Sequence, residues 1–201
     1  MAEAAASAIL YEMVEVKQLL VPEDVERMIA SGELDADDAF ELVDGEIVRL
    51  APTFDPHSGT CSLLIAELVP FARRIGGRVL DSSMGFMVGD ELRQLRCPDV
   101  SLVSSQRLHI LRGTGFARGA PDLAVEVLSE GQHGEAYARP KLGEYFEAGA
   151  RVVWFVDLRT QTVREYLAGA REYRQYSGAA PIGLEAVAPG FACPVEVFFA
   201  G

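Results

Sequence analysis

Apolar and polar positions change rhythm along this chain in a way that separates strands from helices. Residues 121–129 form a short β-branched run in which Leu123, Val125 and Val127 share one face of an extended strand and Asp122, Ala124, Glu126 and Leu128 the other. Val152-Val153-Trp154-Phe155-Val156 is apolar without a break, the pattern of a strand buried on both faces, and 162–166 is its expected partner across a turn at 157–161. Residues 40–43 and 46–50 flank Asp44-Gly45, a two-residue hairpin signal. Residues 22–30 place Pro22 at a first helical position with Glu23 and Asp24 behind it, which predicts a short helix ended by Ser31-Gly32. A second helix is predicted after a loop at 51–56. Ser58 or Thr60 caps it, Leu64, Leu68, Phe71 and Ile75 form its core face, Pro70 bends it, and Gly76-Gly77 ends it. A third carries Lys141, Leu142, Tyr145 and Phe146, with Pro140 in its first turn and Gly149 as its stop. Strands at 78–81 and 85–88 precede a further strand that Pro98 opens within the segment 96–103. A polar loop or short helix at 104–119, a flexible connection at 129–134 and a terminal strand pair or short helix over 183–199 complete the pattern.

Two carboxylates interrupt apolar strands. Glu126 is costly to bury ionised unless a cation or hydrogen bonds compensate it. It reads either as half of a structural ion pair with an arginine or as a metal ligand or general base. In the segment Arg96-Cys97-Pro98-Asp99, Pro98 opens the strand and Asp99 shares a face with Ser101 and Val103. Two such strands can converge on one hard cation, which prefers oxygen ligands and is often held by one or two carboxylates plus water. Glu41, on the first hairpin strand, reads on pattern alone as a surface acid of an edge strand. His57, at the start of the second helix, can contact phosphate or cap an amide. His109 and His133 have no partner at ligand spacing. Gly113-Thr114-Gly115 lacks the spacing of a nucleotide cradle, and Asp35, Asp37 and Asp38 lack the ordered ligands of a calcium loop.

Composition narrows the setting. With 201 residues, 49% apolar and 24% charged, one globular domain is expected over 21–201 behind an N-terminal extension at 1–20. Cys61, Cys97 and Cys193 are scattered and lack metal-ligand spacing, which favours a reducing cytoplasm and disfavours a zinc site. No apolar run is long enough to span a bilayer, and the first residues lack the basic region of a signal peptide, so a soluble cytoplasmic protein is expected. A net charge of −12 argues against indiscriminate nucleic-acid binding. It leaves room for a local basic rim drawn from Arg73, Arg74, Arg78, Arg93, Arg96, Arg107, Arg112 and Arg118. The chain retains only Lys17 and Lys141 among its 18 basic residues. Where arginine is the usual cation, a lysine supplies a compact point charge.

Glu41-Leu42-Val43-Asp44-Gly45-Glu46, His57, Pro98-Asp99, the run from Pro121 to Ser129, and Lys141 through Gly149 with Trp154-Phe155-Val156-Asp157 together resemble one family. It is the Uma-type putative restriction endonuclease family of the PD-(D/E)XK nuclease superfamily, and the likeness runs from about residue 20 to the end, including Pro189-Gly190-Phe191. The resemblance implies an α/β (α+β) fold: a restriction-endonuclease-like core, a mixed β-sheet flanked by helices, with an N-terminal helix and β-hairpin. It implies that Asp99 and Glu126 are the two motif acids and bind Mg2+ or Mn2+, and that Glu41 is a third catalytic acid. Leu128 occupies the superfamily's lysine slot, so the resemblance assigns that role to Lys141 on the following helix. The implied activity is metal-dependent hydrolysis of phosphodiester bonds in nucleic acid, DNA above all, with His57 a substrate-binding residue. Two alternatives stay open: a nuclease-fold binding module without the chemistry, and a metal-dependent hydrolase of a smaller phosphate ester. A symmetric homodimer is the default assembly.

Overall fold

The computed structural model describes residues 19–200 apart from Arg112, Thr114, Glu130, Gly131 and His133. The expected N-terminal extension, Lys17 included, therefore falls outside the described residues except for its last two positions, and parts of the connection at 129–134 fall outside as well. The first helix, α1 (Pro22–Ser31), starts where Asp24 accepts a hydrogen bond from the Val21 N–H at 2.8 Å. It stops at Gly32, whose φ of +77° suits a residue without a Cβ. Strands β1 (Phe40–Val43) and β2 (Glu46–Arg49) pair across Asp44 and Gly45, both at positive φ as the tight hairpin requires.

Helix α2 (His57–Arg74) has Pro56 as its N-cap, two residues before Ser58 and four before Thr60, the caps its sequence predicts. The Phe54 carbonyl already accepts from the N–H groups of His57 and Ser58, at 2.8 and 3.3 Å, so no side-chain cap is needed. Then come β3 (Arg78–Asp81), β4 (Phe86–Val88), β5 (Gln94–Arg96) and β6 (Val100–Val103). The strand expected to open at Pro98 starts two residues later, at Val100. Pro98 has no N–H for a ladder and breaks the run, leaving Asp99 at a corner instead of on a strand face. The segment 104–119 holds a 3-10 turn at Leu108–Leu111 and the short β7 (Ala117–Arg118).

Strand β8 (Leu123–Leu128) feeds α3 (Glu135–Glu147), which returns to β9 (Val152–Asp157), parallel to β8 as a crossover connection permits. Pro140 is the sixth residue of α3, inside the helix and not in its first turn. The buried positions Ala138, Lys141 and Tyr145 hold that face against the sheet. The chain closes with β10 (Thr162–Leu167), β11 (Arg174–Ser177), β12 (Pro181–Gly183), β13 (Ala192–Pro194) and a 3-10 turn at Val195–Phe199.

The strands form a six-stranded mixed sheet in the order β11-β10-β9-β8-β6-β3, a five-stranded sheet in the order β2-β1-β5-β4-β7, and the pair β12-β13. Strand β8 is buried on both faces, and its alternation sorts the core. Leu123, Val125 and Val127 pack with Leu64, Leu68 and Phe71 of α2, while Ala124 and Leu128 pack with Ala138 and Tyr145 of α3. Val25 of α1 joins Phe40, Leu42 and Leu95 on the five-stranded sheet. Trp154, fully buried on β9, has Phe191 and Phe198 at 6.2 Å.

The indole N–H of Trp154 meets no acceptor among the described residues. Trp154→Ala should lower unfolding free energy by about 3–5 kcal/mol in denaturant titration. Trp154→Phe should cost much less, because it also deletes an unpaired buried donor worth about 1–3 kcal/mol.

Candidate active site

The chain leaves the five-stranded sheet at the end of β5 and enters the six-stranded sheet at β6, so the corner Cys97-Pro98-Asp99 is where it passes between the two sheets. Polar side chains from both sheets and from α2 and α3 gather at this corner. Leu42 of β1 pairs with Leu95 of β5, which sets Glu41 beside Arg96. Val100 pairs with Val125, so Asp99 stands opposite the next step of β8, Glu126 and Val127. Its Oδ2 accepts from the Val127 N–H at 2.7 Å.

Lys141 joins the two sheets electrostatically. Its Nζ donates to Glu126 Oε2 at 2.7 Å and to Glu41 Oε1 at 3.3 Å. Tyr145, one helical turn further along α3, donates its hydroxyl to Glu126 Oε1 at 2.6 Å. Arg96 donates to Glu41 at 2.7 Å and grips Glu144 with two bonds at 2.6 and 2.8 Å. Glu41, Arg96, Glu126 and Lys141 are all buried. Glu41 is therefore not the edge-strand surface acid of its sequence pattern, because β1 lies between β2 and β5. Nor is Arg96 part of a basic rim. Among the other rim candidates, Arg74 donates to the Gly190 carbonyl, Arg107 to the Ala120 carbonyl, and Arg118 pairs with Glu23, while Arg112 lies outside the described residues.

Burial raises the pKa of Glu126; Lys141 opposes this, Glu41 and Asp99 add to it, and the group ends above the usual carboxylate range. Burial would raise Glu41 as well, but the charges of Lys141 and Arg96 prevail and hold it below that range. Burial would depress Lys141, yet Glu126 and Glu41 hold its ammonium above the ordinary lysine range. Lys141 is thus a permanent cation and hydrogen-bond donor, unsuited to acting as a base. The Cys97 thiol is pushed up to about 12, by burial first and then by Glu41 and Glu126, so it stays protonated and inert.

On the α2 side, His57 is buried, with Nε2 at 3.0 Å from the Val127 carbonyl and 3.4 Å from Asp99 Oδ1. Cys61 Sγ stands 3.6 Å from its Nδ1. Its hydrogen bonds to Asp99 and Cys61 raise the His57 pKa to about 10 against the cost of burial. Asp122, one residue before β8 and in phase with Glu126, has a structural ion pair of its own: it accepts from the Ser104 N–H at 2.7 Å and faces Arg151 at 3.2 Å.

Among the described residues, the set of three or more histidine, cysteine and acidic donors whose ligand atoms all lie within 4.8 Å of one another is His57, Cys61 and Asp99. Glu41, Asp99 and Glu126 do not close into such a set, because the carboxylate of Glu41 is turned to Arg96 and Lys141. Sequence reasoning assigned no role to Tyr145, Glu144 or Cys61. Each had a legible signal: Tyr145 and Glu144 are four and three residues from Lys141, and Cys61 is four from His57, the spacings that share a helix face.

The sequence model of a family described as Uma2, putative restriction endonuclease, matches residues 22–196. A solved structure titled a putative nuclease belonging to DUF820, from Anabaena variabilis, superposes with a TM-score of 0.72 at 18% identity, covering 90% of this chain and 97% of that one. At that identity the likeness establishes the fold. No curated protein matches.

Lys141→Met removes the cation between two buried carboxylates and should destabilise the protein by about 3–5 kcal/mol at neutral pH. The deficit should shrink as pH falls and Glu126, the acid with the raised pKa, takes up a proton; denaturant titrations at several pH values check this. His57, raised from 6.5 to about 10, adds stability that is fully present below pH 6.5 and lost as pH rises through about 10. Wild-type Tm should therefore fall between pH 7 and 10, and the His57→Gln curve should be flatter across that window.

Proposed function

The chain belongs to the Uma2 family, described as putative restriction endonucleases, and from that premise we propose that it is a metal-dependent endonuclease hydrolysing phosphodiester bonds of DNA at the Asp99–Glu126–Lys141 corner. The observation that carries this reading is the contact of Lys141 with Glu126 at 2.7 Å beside Asp99. Acids from two strands and a lysine from a separate helix meet at one point, although the strand slot two residues after Glu126 is Leu128.

The donor set fits a hard cation. Glu126 accepts one hydrogen bond on each oxygen and Asp99 one on Oδ2, and every carboxylate oxygen offers two lone-pair sites. Asp99 and Glu126 are accordingly the residues that would hold magnesium or manganese. Such an ion, when bound, acidifies a water and polarises a phosphate oxygen. Tyr145 and Lys141 fix the Glu126 carboxylate, and the Val127 N–H fixes that of Asp99, so neither acid has to reorganise during the reaction. Lys141, a permanent cation, donates to the oxygen on which negative charge develops. Glu41, itself gripped by Arg96, holds that ammonium in place and stays out of the ligand set.

One observation favours the rival reading of a smaller phosphate ester. Asp99 opens on a cleft of about 1070 Å3 whose wall, among the described residues, includes Glu26, Asp37, Asp38 and Asp81 but no lysine or arginine. A duplex depends on basic contacts to its phosphates, and the described residues of this wall supply none. A panel of supercoiled plasmid, single-stranded DNA, RNA and nucleotide esters separates the two readings.

In a manganese-supported plasmid-nicking assay, Asp99→Asn and Glu126→Gln should each lose about a hundredfold or more in rate. Lys141→Ala should also lose rate, while Arg73→Ala, away from the corner, should match wild type. Equal cleavage by Glu126→Gln and wild type would remove the mechanism.

A further inference from the structure

A second cluster touches the proposed catalytic corner through one shared acid. His57 and Cys61 lie one helical turn apart on α2, so their side chains share a face, and both line the cleft together with Asp99. Sulfur, imidazole nitrogen and carboxylate oxygen from these residues lie within 4.8 Å of one another. We propose that His57, Cys61 and Asp99 form a binding site for a borderline-soft divalent cation of the zinc type, with its fourth coordination position open to the cleft.

The donor chemistry selects that class of ion. Zinc accepts nitrogen, sulfur and oxygen in one tetrahedral shell at about 2.0–2.3 Å, which sets neighbouring ligand atoms roughly 3.5 Å apart. The Cys61 Sγ to His57 Nδ1 distance of 3.6 Å is of that size; Asp99 Oδ1 stands 3.4 Å from the other ring nitrogen, Nε2, and one ligand atom from each of the three residues lies within 4.8 Å of the others. Magnesium and calcium take oxygen ligands, so a thiol in the shell is foreign to the hard-cation pair Asp99–Glu126.

The surroundings orient the ligands as a metal shell requires. One peptide step of β8 serves both ends, the Val127 carbonyl at 3.0 Å from His57 Nε2 and the Val127 N–H at 2.7 Å from Asp99 Oδ2. Cys61 is half-buried and faces the cleft, which gives the ion an entry path. On binding, the Cys61 thiol loses its proton to solvent as the metal–sulfur bond forms, and the coordinating imidazole nitrogen releases its own if it carries one. Because Asp99 is common to both sets, filling this site withdraws a ligand from the catalytic ion. That consequence rests on the proposed nuclease reading; the site itself does not.

Cobalt(II) is the probe, since a thiolate ligand produces a charge-transfer absorption that oxygen ligands do not. Titrating the metal-free full chain should develop that band to saturation at one equivalent, and one equivalent of zinc should abolish it. Cys61→Ser and Cys61→Ala should lose the band while keeping the wild-type circular dichroism. Cys97→Ala and Cys193→Ala should retain it, and Asp99→Asn should weaken cobalt binding tenfold or more. A folded wild type without the band, or a band that survives in Cys61→Ala, overturns the site. Unchanged cobalt affinity in Asp99→Asn overturns the three-residue set. None of these readouts uses DNA cleavage, so an inactive protein that binds cobalt through Cys61 would sink the nuclease reading and leave this site standing.

Discussion

The contact between Lys141 and Glu126 is the interaction on which the candidate site depends. Both groups are buried, and taking two charges out of water costs several kcal/mol for each, which one Coulombic contact does not offset alone. The surrounding bonds make it tenable. Tyr145 satisfies the second oxygen of Glu126, Glu41 takes up the remaining charge of Lys141, and Arg96 and Glu144 extend the alternation of sign. The network spans β1, β5, β8 and α3, so it also ties the two large sheets together.

The position of this network follows from a break in a strand. Had residues 96–103 formed one continuous strand, Arg96 and Asp99 would belong to a single sheet. Pro98 ends the ladder, and the chain passes from the five-stranded sheet to the six-stranded one within Cys97-Pro98-Asp99. Acids carried by different sheets thereby face one corner, with α2 bringing His57 and Cys61 from one side and α3 bringing Lys141 and Tyr145 from the other. A site built this way depends on how the layers pack more than on any short motif, which is why the lysine can leave the strand without leaving the site.

Much of the fold was legible in the order of residues because its signals are local. The Asp44-Gly45 hairpin, the Pro22 helix start, the glycine stop at Gly149, the alternation of β8 and the unbroken apolar β9 each follow from backbone conformations or from burial on one face or two. Two of the errors came where a proline was read from propensity alone. Pro140 lies within α3 because packing of Ala138, Lys141 and Tyr145 outweighs one missing hydrogen bond, and Pro98, expected to open a strand, stands two residues before β6.

Residue types and spacing by themselves determined which side chains were unusual: acids within apolar strands at Glu126 and Asp99, and one lysine among arginines at 141. They also supplied the resemblance that the family match bears out. Only the tertiary structure decided who meets whom. Glu41 and Lys141 are 100 residues apart in sequence and Glu41 and Arg96 are 55 apart, and a partnership over such distances is set by the stacking of layers, which no local pattern encodes. Burial then decided their charge states, since the same carboxyl group titrates low beside Arg96 and Lys141 and high in the apolar wall of β8.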